Sequence, residues 1–192
     1  NDIFDIVADA DFEAIELHQP FLEIENYQER IKNALRRTGL GFVGASNGQP
    51  LWDIEQHDSI ISSMDMYSDK LSVFGEWNIP TSSGVLCGMS CSGKRYTQRT
   101  KAENDQVIRM WTELAEMFRK KGVTLNYHTH GEPIEDIRHV TENVPADLLP
   151  LGPDLDWLRV GGVDPEQFIR EYADRLVMMH IRDYHISGDR TE

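Results

Sequence analysis

The apolar residues of this chain fall into two alternating rhythms. Stretches with spacings of three and four predict helices, and the short runs between them, with period two or unbroken apolar character, predict strands. Ile3, Ile6, Val7 and Ala10 stand at helical spacing over residues 2–10. Ala14-Ile-Glu-Leu17 then reads as a short strand, with Ile15 and Leu17 on one side and Glu16 on the other. A polar loop from Pro20 leads to a helix with Asn26 at its cap and Ile31, Ala34 and Leu35 on its inner face, ending at Thr38-Gly39. Gly41-Phe-Val-Gly-Ala45 is the next strand, and residues 46–50 form a loop by composition.

A helix follows from Trp52 or Asp53 to Phe74, with Ile54, Ile60, Ile61, Met64 and Leu71 inward, while residues 75–84 carry no period that assigns them. Val85 to Ser90 is a strand. Residues 101–121 form the longest helix, marked by Val107, Met110, Trp111, Leu114, Met117 and Phe118. It delivers the chain to Gly122-Val-Thr-Leu-Asn-Tyr-His-Thr-His130, where period two puts His128 and His130 on one side with Thr124 and Asn126. The remaining elements are a helix near Ile134 to Glu142, a strand from Leu148 to Pro153, a helix near Asp164 to Ala173 and a strand from Arg175 to Ile181. Asp164-Pro165 supplies a cap and a proline at the first helical position.

Six strands separated by helices imply a parallel sheet with right-handed crossovers, either a (β/α)8 barrel or an open doubly wound sheet. The polar candidates lie at the carboxyl ends of several strands: Glu16 and His18, His128 and His130, Asp154, His180 and Arg182. An open sheet gathers its ligand groups at one switch point, whereas a barrel collects all its strand ends at one mouth, so this dispersion favours an α/β (β/α)8 TIM barrel. No Gly-x-x-x-x-Gly-Lys-Ser/Thr loop is present, nor a Gly-x-Gly-x-x-Gly turn leading from a strand into a helix. A barrel of about 250 residues requires a first strand before Asn1 and a last βα unit after Glu192, so residues 1–192 are expected to form one barrel domain incomplete at both ends.

Composition narrows the partners. Lys and Arg total 19 against 33 Asp and Glu, a net charge of -14, which repels nucleic-acid phosphates and anionic lipids. No apolar run reaches the roughly 18 to 20 residues of a membrane span. Cys87 and Cys91 are too few for a disulfide framework, and a cytoplasmic location is the expectation. Neither nucleic acid nor a membrane is therefore an expected partner.

Carboxylate oxygens and imidazole nitrogens hold borderline divalent metals, and a catalytic site leaves positions open. His128 or His130, Asp154, His180 and Glu192 are the available donors, each from a different element. Each has a plainer reading as well: hydrogen-bonded histidines at a strand end, a helix-capping aspartate, or a buried His180 ion pair. Arg182, two residues beyond His180, is placed to grip an oxyanion or a substrate hydroxyl.

Tyr127-His-Thr-His130, Asp154-Leu-Asp-Trp-Leu-Arg-Val-Gly-Gly-Val-Asp-Pro165 and Phe168-Ile-Arg-Glu-Tyr172 leading to Met179-His-Ile-Arg-Asp183 together resemble the sugar phosphate isomerase/epimerase family, with its xylose isomerase-like barrel. The resemblance covers about residues 100–192. It implies a divalent metal (Mn, Mg, Co or Zn) at the barrel mouth, a small-molecule sugar as partner and a possible homo-oligomer. Asp154 matches the aspartate of the family's Asp-Thr-Gly-His/Trp motif and His180 the histidine of its His-Leu-Lys-Asp strand, both metal ligands. His128 stands where the first ligand is often a glutamate, and Trp157 where keto-sugar epimerases carry a histidine. Glu192 fits the spacing of a further glutamate ligand, with Asp189 as its substitute.

The implied chemistry is isomerisation or epimerisation of a keto sugar through an ene-diolate. Glu16, His130 or Glu192 would carry the proton, and Arg182 would hold substrate. A lyase or dehydratase acting on a keto-inositol or 3-oxo-glycoside is the alternative enzyme. A non-catalytic sugar-binding barrel is the alternative outside catalysis, suggested by Trp157 and the altered first ligand.

Overall fold

Asp2, Thr100 and Asp164 each turn a side-chain oxygen onto first-turn backbone N–H groups, and those bonds fix where three helices begin. Thr100 and Glu103 form a reciprocal capping box, and Pro165 occupies the first helical position behind Asp164. The structure is a computed structural model and describes residues 2–79, 84–182, 186–187 and 190–191. Its helices are α1 (Ile3–Asp9), α2 (Tyr27–Thr38), α3 (His57–Ser72), α4 (Lys101–Lys120), α5 (Ile134–Asn143), α6 (Leu155–Val160) and α7 (Pro165–Tyr172). They alternate with β1 (Ala14–His18), β2 (Gly41–Gln49), β3 (Val85–Cys91) and β4 (Val123–Tyr127).

The four strands form one parallel sheet in chain order, β1-β2-β3-β4. Two further segments continue its curve. Tyr127 pairs with Leu151, Leu151 with Leu176 and Asp154 with His180, all parallel. The segments expected as strands over 148–153 and 175–181 are thus bridges rather than ladders. Pro150 and Pro153 explain this, because neither has a backbone N–H to donate. Their carbonyls still accept, from Tyr127 and His180 at 2.9 Å each. The barrel order is preserved while the ladder is broken.

Three other boundaries differ from the sequence reading. β2 runs on to Gln49 through residues that looked like a loop, because Ser46, Asn47, Gly48 and Gln49 pair with β3. Asn26 occupies the α2 cap position but in the left-handed region (φ 57°), with no side-chain cap bond. α6 had no expected counterpart, being too short for an apolar period to appear. Gly39, Gly41 and Gly44 have the spacing of a dinucleotide turn, yet they lead from α2 into β2, opposite to the strand-to-helix order such a turn needs.

The core lies between the sheet and its helices. Met110, Trp111, Leu114 and Phe118 of α4 are fully buried, and the Trp111 ring lies 5.0 Å from that of Tyr127. With Tyr127 turned outward onto α4, its neighbour Asn126 faces the barrel interior, and truncating Trp111 to alanine would remove about 3–5 kcal/mol. Cys87 and Cys91 are buried free thiols, both pushed up by burial, Cys91 to about 12. Among the described residues no helix is long and apolar enough to cross a membrane.

Candidate metal centre

The His128 backbone N–H donates to the Met89 carbonyl at 2.8 Å, continuing the β3–β4 pairing one residue beyond the strand. The imidazole therefore sits at the carboxyl end of the sheet, where barrel enzymes keep their sites. Its Nδ1 bonds the Gly152 carbonyl at 2.8 Å, leaving Nε2 uncommitted. Burial lowers the His128 pKa, opposed by that carbonyl bond. Gly152 has to be glycine, since a Cβ there would overlap Asn126 Oδ1 and come within 2.8 Å of Met178 Cγ.

Asp154 is completely buried and divides its two oxygens between two tasks. Oδ1 accepts from the backbone N–H groups of Asp156 and Trp157, both at 3.1 Å, and so begins α6. Among the described residues, Oδ2 accepts no hydrogen bond. Two cationic or potentially cationic groups face it instead, Arg182 Nη2 at 2.7 Å and His180 Nδ1 at 3.7 Å. The Arg182 contact is an ion pair without hydrogen-bond alignment. The Asp154 backbone N–H donates to Thr129 Oγ1 at 3.0 Å, locking the aspartate to the loop that carries His128.

His180 is held at both backbone groups, donating to Pro153 and accepting from Leu155 at 3.0 Å. Its Nε2 meets Glu16 Oε2 at 2.5 Å, and this bond raises the His180 pKa against the effect of burial. The His128 and His180 rings are 4.6 Å apart and nearly perpendicular. One donor atom from each of His128, Asp154 and His180 falls within 4.8 Å of the others. Donors on a common cation with bonds near 2.1 Å lie about 3–3.5 Å apart. Small side-chain movements would bring the trio to that spacing. Asp154 Oδ2, buried and charge-paired with Arg182 but without a hydrogen-bond donor among the described residues, is the carboxylate oxygen with capacity left for a cation.

The other sequence-named residues divide. Glu16 and Arg182 touch the trio directly, through His180 and Asp154. His130 lies outside it: β4 stops at Tyr127, so the alternation that paired the two histidines stops too. The exposed His130 ring instead stacks on Trp157 at 3.9 Å, and burial is the largest of the effects lowering its pKa. Glu192 and Asp189 lie outside the described residues.

Two residues that sequence reasoning missed hold the His130 loop. Glu132, fully buried, accepts from the His130 backbone N–H, and burial raises its pKa. Arg95 donates to the His130 carbonyl at 3.1 Å and pairs with Glu132 at 3.3 Å. The only sequence signal was an acid two residues after the second histidine. A cavity of about 430 Å³ borders Glu16, His18, Phe21, Ser46 and His180. Another of about 400 Å³ lies at the opposite end of the barrel, beside Arg119, Asp147 and Arg175, away from the trio.

Residues 4–192 match the profile of the xylose isomerase-like TIM barrel family. An inosose dehydratase from Geobacillus kaustophilus is 23% identical over 145 residues, covering 65% of this chain and 46% of that protein. The matched segment is thus less than half of that relative's length. A sugar phosphate isomerase/epimerase from Parabacteroides distasonis superposes with a TM-score of 0.70 at 18% identity, covering 98% of this chain and 72% of the other. A xylose isomerase-like TIM barrel protein from Mycobacterium smegmatis in complex with magnesium gives a TM-score of 0.69 at 16% identity, covering 97% and 67%.

Proposed function

Because the chain belongs to the xylose isomerase-like TIM barrel family, we propose that it is a divalent-metal-dependent isomerase or epimerase of a keto sugar or sugar derivative. The observation that carries this reading is the convergence of His128, Asp154 and His180 at the carboxyl end of the barrel, with a buried Asp154 oxygen that accepts no hydrogen bond among the described residues. His128 through Nε2, Asp154 through Oδ2 and His180 through Nδ1 would hold the cation, with Glu192 as a proposed further ligand. Once bound, the cation supplies Lewis-acid polarisation of a carbonyl and its neighbouring hydroxyl.

The rest of the chemistry falls to the chain itself. Arg182 offers a guanidinium beside the Asp154 carboxylate and is proposed to orient a substrate oxygen. His130 sits at the rim with its ring steadied by Trp157, and is proposed to take and return the proton on carbon. Glu16, another of the three proton carriers suggested by the sequence, has its carboxylate engaged by His180. From one ene-diolate of the substrate, return of the proton to the adjacent carbon isomerises, and return to the other face epimerises.

A second reading, loss of water from a keto-inositol or of the aglycone from a 3-oxo-glycoside, is favoured by the similarity to an inosose dehydratase. It uses the same intermediate with departure of a β-substituent, the hydroxyl in one case and the aglycone in the other. Metal-depleted and Mn(II)-reconstituted protein, incubated in deuterium oxide with a panel of keto sugars and inososes, separates the readings by NMR. Metal-dependent deuterium incorporation with a new isomer supports the first reading, and an enone product supports the second. Sugar-induced thermal shifts with no exchange on any compound would overturn both in favour of a binding protein.

A further inference from the structure

We infer that Glu16 is a positioning residue for the metal centre: its carboxylate selects the His180 tautomer and ring orientation that present Nδ1 to the cation. The inference rests on the metal-dependent reading above and deepens it.

Three observations point the same way. First, Glu16 Oε2 lies 2.5 Å from His180 Nε2, a contact between residues 164 positions apart. An ionised carboxylate can only accept, so Nε2 carries the hydrogen, and in the neutral imidazole Nδ1 is left with its lone pair. Nδ1 is the nitrogen facing Asp154 Oδ2, at 3.7 Å. Second, His128 is arranged with the opposite ring nitrogen: the Gly152 carbonyl takes its Nδ1, leaving Nε2 free. Both histidines thus have their outward nitrogen occupied by an oxygen acceptor, one by a backbone carbonyl and one by a carboxylate, and the remaining nitrogens are those available to the cluster. Third, the β1–β2 register shifts between Ile15 and Glu16. The extra residue is Val43 on β2, so Glu16 is set opposite Gly44, a neighbour with no side chain to crowd the carboxylate that reaches across the barrel to His180.

A carboxylate behind a ligating imidazole fixes the ring and raises its basicity, and the loss of such a partner typically weakens metal binding by about 10–100-fold. Glu16 is not one of the three clustered donors. It acts through His180 and needs no contact with substrate.

The test compares wild type with Glu16→Gln and Glu16→Ala. Mn(II) affinity is measured by titration calorimetry, and the His180 tautomer in metal-free protein is read from side-chain nitrogen NMR shifts. The expected result is the Nε2–H tautomer in wild type, a mixed or Nδ1–H population in Glu16→Ala, and Mn(II) affinity about 10–100-fold weaker in that variant. Glu16→Gln, which keeps the side-chain shape, guards against loss of folding as the cause. An unchanged His180 tautomer in Glu16→Ala, which has no side-chain acceptor, overturns the inference. So does unchanged Mn(II) affinity with loss of carbon-proton exchange, which would make Glu16 a proton carrier. A wild-type protein that binds no divalent cation overturns the functional reading itself, and that result appears before any variant is made.

Discussion

Asp154 does at one residue what usually takes two. Oδ1 caps α6 and Oδ2 faces Arg182 and His180, so the cap reading the sequence offered holds on one oxygen, and the proposed ligand role would fall to the other. Substitutions can therefore separate them. Asp154→Asn retains a capping oxygen and should lose Mn(II) binding in a calorimetric titration while its melting temperature stays near wild type. Asp154→Ala should lose the binding and, in addition, about 1–2 kcal/mol of stability in urea unfolding for the missing cap. Ring tautomers were not legible in the sequence. They depend on Gly152 and Glu16, which are distant from the histidines in the chain.

A second residue-level prediction concerns acid stability. The Lys94 ammonium, followed by the Thr100 backbone N–H, holds the Glu103 carboxyl at about 2. Its folded pKa lies below the unfolded one, so its contribution is complete above about 4.5 and disappears as the pH falls through about 2. The melting-temperature gap between wild type and Glu103→Gln should therefore be open at pH 7 and close progressively between pH 4.5 and 2.

Among the elements, long-range pairing decided what local pattern could not. α4 was legible almost to the residue because its seven buried positions recur at helical spacing from Gln106 to Phe118. The segments around Leu151 and Leu176 were legible as barrel positions, but their prolines and turns reduce them to bridges. β2 outran its expected end because β3 offered a partner, which composition does not record. Gly152 shows how closely these segments meet. Gly152→Ala would drive a methyl into Asn126 and displace the carbonyl that holds His128. Overpacking of this kind costs about 1–3 kcal/mol. The expected outcome is that cost in denaturant unfolding together with weakened Mn(II) binding, although Gly152 offers the cation no ligand.

At the scale of the whole molecule, the three clustered donors stand at equal intervals along the sequence, one near the end of each of three successive barrel segments. No single element contains the centre, and its geometry exists only when the segments are docked. Metal and fold should therefore be linked: a cation at about 100 times its dissociation constant adds about 2.7 kcal/mol. Differential scanning fluorimetry should show a melting temperature that rises with Mn(II), falls back on chelation and does not respond in Asp154→Ala. The acidic surface, with net charge -14, would assist cation capture at low ionic strength.

The Glu16–His180 contact joins β1, at one margin of the described sheet, to the last of the bridged segments at the other. It is a chord across the barrel made by side chains rather than by backbone. A marginal strand normally exchanges its amide hydrogens early, since few bonds must open to expose it. A ligand that stiffens His180 should slow that exchange in β1, so that amide-hydrogen mass spectrometry of residues 14–18 would report an event occurring on the far wall.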